Sequence, residues 1–182
     1  MVTNREELAR IGRELLVAIG EDPDREGLLD TPRRFAKWWS EFIDYDAGTT
    51  DTAFGSESAD EIVAVSGIKV WSLCEHHLLP FSCNVAVAYI PVDRILGLSK
   101  FGRIAHAAAH KPQVQERLVG EIADRIMQVT SSQDVAVVAD GEHLCMSMRG
   151  IRTPAIMTTS VMRGAFREDA QARAELMRLW KR

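Results

Sequence analysis

Apolar positions recur at two different periods along the 182 residues, and the change of period divides the chain. Near the N-terminus Leu8, Ile11, Leu15 and Ile19 follow one another at three- and four-residue steps, the spacing of one helix face. Thr3 or Asn4 can cap this helix, Glu6 and Glu7 put negative charge in its first turn, and Gly20 is a stop signal. Asp30-Thr31-Pro32 marks a second start with proline at the first helical position, and Phe35, Trp38, Trp39 and Phe42 line one face of the helix that follows. That aromatic stripe reads as core or subunit contact. Residues 49–60, rich in Thr, Ser, Gly and Asp, read as a connecting loop.

The period then changes. Residues 61–74 and 83–90 alternate or run apolar and predict two antiparallel strands. Ser99 is positioned to cap a short helix over about 100–110, and Pro112 to open another whose stripe is Val114, Leu118, Ile122, Ile126 and Val129. Strands are predicted again over 134–139, 142–149 and 155–162, and a closing helix over 167–181. Strands set around a helical pair predict an α+β fold with an antiparallel sheet covered on one face.

Composition narrows the function more than the fold. With 46% hydrophobic and 26% charged residues the chain is an ordinary globular one, expected to form a single domain. Twenty-two basic against twenty-six acidic residues leave a net charge of −4, which gives no support for nucleic acid or an anionic membrane as partner. Apolar runs such as Val85–Ile90 are far short of the ~18 residues of a membrane span, and Arg5, Glu6, Glu7 and Arg10 precede any apolar run, so neither a span nor a signal peptide is expected. Three cysteines do not make a disulfide framework. They fit a reducing compartment, and the expected location is the cytoplasm.

Two clusters carry the chemistry. Cys74 and His77, in Cys74-Glu75-His76-His77 at the end of a predicted strand, are spaced so that thiolate and imidazole can reach one ion. In Gly141-Glu142-His143-Leu144-Cys145, read as a strand, His143 and Cys145 share a face with Arg149. Two cysteines and a histidine form the set that zinc accepts in catalytic sites with water in the fourth place, whereas a structural site would close with a fourth protein ligand. Cys83 is the candidate for that fourth place, and spacing leaves both kinds of site open. Gly97-Leu98-Ser99-Lys100 followed by Arg103 sets a hydroxyl and two cations at a helix start, an anion site of the kind a polyanionic substrate would need in an acidic protein.

The segments Cys74-Glu75-His76-His77-Leu78-Leu79-Pro80-Phe81, Gly97-Leu98-Ser99-Lys100, Pro112-Gln113-Val114-Gln115-Glu116-Arg117-Leu118, and His143-Leu144-Cys145 with Met148-Arg149-Gly150-Ile151 resemble the GTP cyclohydrolase I family. Asp30-Thr31-Pro32-Arg33-Arg34 resembles its N-terminal helix motif, and the likeness runs in order from about residue 6 to residue 180. The resemblance implies the tunnelling fold: a four-stranded antiparallel sheet with two inserted helices, preceded by N-terminal helices. Here that is a helical part at about 1–50 and a catalytic part at about 60–182 of one domain, 1–182. It implies opening of the GTP imidazole ring, loss of C8 as formate and rearrangement to 7,8-dihydroneopterin triphosphate, the first step towards pterins and tetrahydrofolate. The family assembles as a homodecamer of two pentameric rings with active sites between subunits, so one chain need not supply a whole pocket.

Carried over residue by residue, the resemblance makes Cys74, His77 and Cys145 ligands of one zinc ion per subunit. It makes His76 and His143 proton-transfer residues, His143 on the purine N7 side and His76 in later steps. Ser99 stands near the ribose and phosphates, where it would assist sugar rearrangement. Glu116, with Gln115 beside it, accepts from guanine N1–H and the 2-amino group, while Lys100, Arg103, Arg149 and a neighbouring subunit's Arg34 contact the triphosphate. Cys83 stands where the family pattern suggests a small residue, and is expected to be a packed thiol. Two rival functions are a scaffold relative making another GTP-derived product and a structural-zinc protein that binds purine nucleotides. The products formed from GTP separate them.

Overall fold

The structure, a computed structural model, describes residues 3–55 and 61–180. These fall into two compact units divided between Asp46 and Ala47. The first is a pair of helices, α1 (Arg5–Ala18) and α2 (Thr31–Ile43). Asn4 is the cap of α1, its side chain accepting from the Glu7 N–H at 3.1 Å. A Cβ at Gly12 would stand 3.0 Å from the Phe35 ring, so the absent side chain is what lets α1 and α2 approach so closely. Of the aromatic stripe, Trp38 and Trp39 meet edge to face at 4.7 Å, and Trp38 remains 41% exposed.

The second unit is built on β1 (Ala53–Gly55), β2 (Val63–Cys74), β3 (Pro80–Tyr89), β4 (Arg94–Leu96), α3 (Leu98–Ala109), β5 (Pro112–Gln113), α4 (Gln115–Thr130), β6 (Val135–His143), α5 (Leu144–Ser147), β7 (Ile156–Met162), α6 (Ala165–Glu168) and α7 (Ala170–Trp180). The main sheet has the order β5-β2-β3-β6-β7. β2, β3, β6 and β7 are antiparallel, and α3 and α4 enter the chain between β3 and β6. This is the predicted α+β arrangement of four antiparallel strands and two inserted helices. The short β5 adds a parallel contact on β2.

Alternation decides which sheet face is covered. Val85, Val87 and Tyr89 of β3 and Val135, Val137 and Ala139 of β6 are fully buried, together with Phe101 and Ile104 of α3 and Leu118, Ile122 and Ile126 of α4. Between Val65 and Ile68 the β2–β3 register slips by one residue. Gly67, in the left-handed region at φ +76°, absorbs the extra residue as a bulge, a conformation that side chains resist. No helix among the described residues is long and apolar enough to cross a membrane.

Several local expectations are corrected. Residues 53–55, within the predicted loop, pair with β4; residues 56–60 lie outside the described residues. Ser99 is not the cap of α3: Gly97 is, because its N–H is held by the Thr52 carbonyl at 3.1 Å and the chain turns into helix directly after β4. Pro112 does not open α4, which starts at Gln115, because Pro112 and Gln113 are drawn into register with Leu73 and Cys74. At such an edge the missing proline N–H costs nothing. Residues 135–143 form one strand, but the expected strand over 142–149 stops at His143 and gives way to the single turn α5, with the Met148 N–H returning to the Leu144 carbonyl. The closing helix is two, broken at the extended Asp169, and its last expected residue lies outside the described ones.

Candidate active site

The hairpin between β2 and β3 is a tight turn. Cys74, the last residue of β2, receives the Leu78 N–H on its carbonyl at 2.8 Å and donates its own N–H to Leu79 O at 2.9 Å. Leu78 takes the left-handed conformation that closes the loop. This folds Cys74, His76 and His77 over one point: His76 Nδ1 lies 3.8 Å and His77 Nδ1 3.7 Å from Cys74 Sγ. The one-turn α5 brings Cys145 to the same place, so that the donor atoms of Cys74, His77 and Cys145 all lie within 4.8 Å of one another. The parity argument for His143, Cys145 and Arg149 therefore fails, and a helical turn does the work instead. Arg149, four residues beyond Cys145, donates to its carbonyl at 3.4 Å and stands 3.4 Å from His77 Nε2.

The donor set fits zinc. A tetrahedral ion with two sulfur ligands and one nitrogen ligand separates its donors by about 3.5–3.8 Å, and the 3.7 Å between Cys74 Sγ and His77 Nδ1 falls in that range. Burial, reinforced by Cys74 beside it, holds the Cys145 thiol above its ordinary pKa, and a bound cation reverses that preference. Cys83 lies outside the group. It is buried in the sheet opposite Gly141, and burial pushes its thiol up to about 12.

Around this point stand the N-terminus of α4 and the end of β6. Arg117 holds Glu75 of the turn by two bonds, at 2.7 and 3.0 Å, and keeps its carboxyl below the usual carboxylate range. Glu116, exposed in the first turn of α4, is close enough that its charge opposes the lowering of the His143 pKa by burial. His143 stacks on Phe81, its partner across the β3–β6 ladder, with ring centroids 4.6 Å apart and planes 7° from parallel. Gln115 is 1% exposed, and His143 Nε2 lies 2.9 Å from its Oε1. Phe81, Glu75 and Arg117 carry no local sequence signal of a role here, since only cross-strand register and the packing of α4 bring them to this point.

The other predicted residues lie elsewhere. Tyr89, at the far end of β3 from Phe81, accepts the Leu96 N–H on its hydroxyl at 2.8 Å, which sets the start of α3 at that end of the sheet. Eight strand residues span about 27 Å. α3 then runs back, until the Ala109 carbonyl accepts from Ser72 Oγ at 2.6 Å, two residues before Cys74. Ser99 and Lys100 thus stand about 14–15 Å up the helix from Ala109, and Arg103 about 9 Å. Lys100, 92% buried by its 8% exposure, donates to Thr49 O at 3.0 Å and Thr49 Oγ1 at 2.7 Å, and Arg103 donates to the Ala47 carbonyl at 2.7 Å. An ammonium has three N–H donors, so among the described residues one remains on Lys100. Arg34 belongs to α2 of the first unit, where it pairs with Asp30 at 3.2 Å.

Comparison with known proteins bears on this arrangement. The family model described as GTP cyclohydrolase I matches residues 8–181. The chain is 49% identical over 181 residues to GTP cyclohydrolase 1 of Caldanaerobacter subterraneus subsp. tengcongensis, covering 97% of this chain and 96% of that one. It is 46% identical over 188 residues to GTP cyclohydrolase 1 of Bacillus subtilis, covering 98% and 97%, and 47% identical over 185 residues to that of Aquifex aeolicus, covering 100% and 99%.

Proposed function

The chain belongs to the GTP cyclohydrolase I family, with GTP as substrate, and from that premise we propose that it opens the GTP imidazole ring at a zinc site formed by Cys74, His77 and Cys145, with C8 leaving as formate and 7,8-dihydroneopterin triphosphate as product. The convergence of these three donors beside His76, His143, Glu116 and Arg149 carries the reading. A zinc ion held by two thiolates and an imidazole supplies a Lewis acid that makes water nucleophilic near neutral pH.

The chain's own groups do the rest. Glu116 accepts from guanine N1–H and the 2-amino group, fixing the base at the N-terminus of α4. His143, kept neutral by burial, exchanges a proton on the N7 side, and the exposed His76 serves the later steps. Arg149, Lys100, Arg103 and a neighbouring subunit's Arg34 hold the triphosphate, and Ser99 stands near the ribose. Lys100 and Arg103, in this reading, serve the metal cluster of an adjacent copy, which the place of Lys100 near the far start of α3 supports. A homodecamer of two pentameric rings meets this need. It would also cover the outer edge of β7, which has no strand partner among the described residues.

The test is to incubate purified protein with GTP and measure formate together with a fluorescent oxidised pterin. Both should form, both should stop on exhaustive chelation, and the oligomer should keep its size without metal. Formate without pterin would favour a different GTP-derived product. Neither product, with an oligomer that dissolves on chelation, would favour structural zinc.

A further inference from the structure

We propose that Gln115 is a positioning residue that selects one tautomer of His143, the form protonated on Nε2, and so makes Nδ1 the nitrogen that exchanges protons with the substrate. This rests on the reading of His143 as a proton-transfer residue and assigns Gln115 to the histidine instead of to the base.

The argument is one of donors and acceptors. Gln115 Nε2 lies 2.9 Å from the Ala139 carbonyl and 2.8 Å from the Met157 carbonyl, with Thr159 Oγ1 at 3.0 Å. Carbonyl oxygens only accept, so the end of the amide that faces them must be the NH2 group. The opposite end is then Oε1, which also only accepts. It lies 2.9 Å from His143 Nε2, which must therefore carry hydrogen. A neutral imidazole with its proton on Nε2 has its lone pair on Nδ1. His143 takes a proton onto Nδ1, forming imidazolium, and gives it back from Nδ1, while the Nε2–H stays on the amide oxygen throughout.

The surroundings are built to hold this bond. Gln115 is 1% exposed, so no water competes for its oxygen. The Phe81 ring, parallel to the imidazole at 4.6 Å, fixes the plane in which Nε2 points at the amide. Gly141 supplies the room: a Cβ there would collide with Gln115 Oε1 and stand 2.9 Å from Cys83 Sγ. Both amide hydrogens are engaged inside the sheet and the oxygen faces His143, so this buried side chain is committed to the protein.

The experiment is 15N solid-state NMR of the purified protein labelled at its histidine ring nitrogens, at pH 8, above the ordinary imidazole range. The His143 signals are assigned by their loss in His143→Asn. The wild type should show His143 protonated on Nε2 and bare on Nδ1. Gln115→Met, close in shape and lacking both amide groups, should show a mixture of tautomers, with kcat lower by about 10- to 100-fold and KM nearly unchanged. If Gln115→Met fails to fold, Gly141→Ala, which displaces Oε1, should give the same mixture. A wild-type His143 protonated on Nδ1 overturns the proposal. So does a variant that keeps the wild-type tautomer, including one whose defect is a raised KM, which would return Gln115 to the substrate. The wild-type spectrum needs no turnover. A protein with the Nε2–H tautomer and no product from GTP would retain the positioning bond and lose the proposed function.

Discussion

Cys83 and Glu116 show how differently two side chains near one site are placed. Cys83 faces Gly141 across the β3–β6 ladder, buried, with its thiol pushed up to about 12. At pH 8 its thiolate fraction is then about 10⁻⁴, and iodoacetamide should leave it untouched in the folded protein, as peptide mapping by mass spectrometry would show. A pKa raised on folding means that the protonated thiol is favoured in the native state. The corresponding stability is present in full below pH 9 and falls as pH rises from 9 to 12. Urea midpoints of Cys83→Ala should therefore decline less steeply than wild type across that window, with metal content and rate unchanged. Glu116 is exposed and unobstructed at the start of α4. ATP offers an acceptor at N1 and no 2-amino group, and sites built on such hydrogen bonds reject analogues by up to roughly 10⁴- to 10⁵-fold. Glu116→Ala should lose most GTP turnover while keeping its metal. Near-normal turnover would remove Glu116 from base recognition.

At the scale of elements, α4 has two jobs that mutations should separate. Its buried stripe, with Ile122 and Ile126 fully inaccessible, holds the sheet's covered face. Ile122→Ala should cost about 2–5 kcal/mol through lost contact and residual cavity, read from the urea midpoint. Its first turn instead meets the metal hairpin through Arg117 and Glu75, side chains that remain 44% and 32% exposed. An ion pair so open to solvent contributes little to stability. Arg117→Ala should leave the urea midpoint nearly unchanged, and any difference should shrink in high salt. A loss as large as that of Ile122→Ala would mean that the hairpin depends on this pair for its fold.

For the whole molecule, the separation of the two functional clusters is the consequential feature. The metal hairpin lies at one end of the sheet and the start of α3, with Ser99 and Lys100, toward the other. If one copy's metal cluster works with its neighbour's Lys100, then Lys100→Ala and Cys145→Ser should each be nearly inactive alone. Co-expressed as mixed oligomers, they should recover activity up to roughly a quarter of wild type, the fraction of sites that take Cys145 from a Lys100→Ala chain and Lys100 from a Cys145→Ser chain. No recovery in mixtures shown by mass spectrometry to contain both chains would place the complete site within one copy.

Much of this was legible in the sequence because it depends on local periodicity. Leu118, Ile122, Ile126 and Val129 repeat at helical spacing, and they are buried where α4 covers the sheet. Cys74 and His77 are three residues apart in a turn, so their meeting is settled by the hairpin alone. Cys145, sixty-eight residues from His77, is tied to them in the sequence by its motif, but strand alternation misjudges its direction because one helical turn occupies that segment. Pro112 carried a helix-start signal and became a strand, because pairing with Leu73 and Cys74 outweighed a weak local preference. What only the tertiary structure decided are the contacts made by register and by packing between elements. Phe81 lies under His143 because β3 and β6 pair in that register. Gln115, beside Glu116 in sequence, points into the sheet while Glu116 stays exposed, since α4 packs so that the Gln115 amide reaches the carbonyls of Ala139 and Met157.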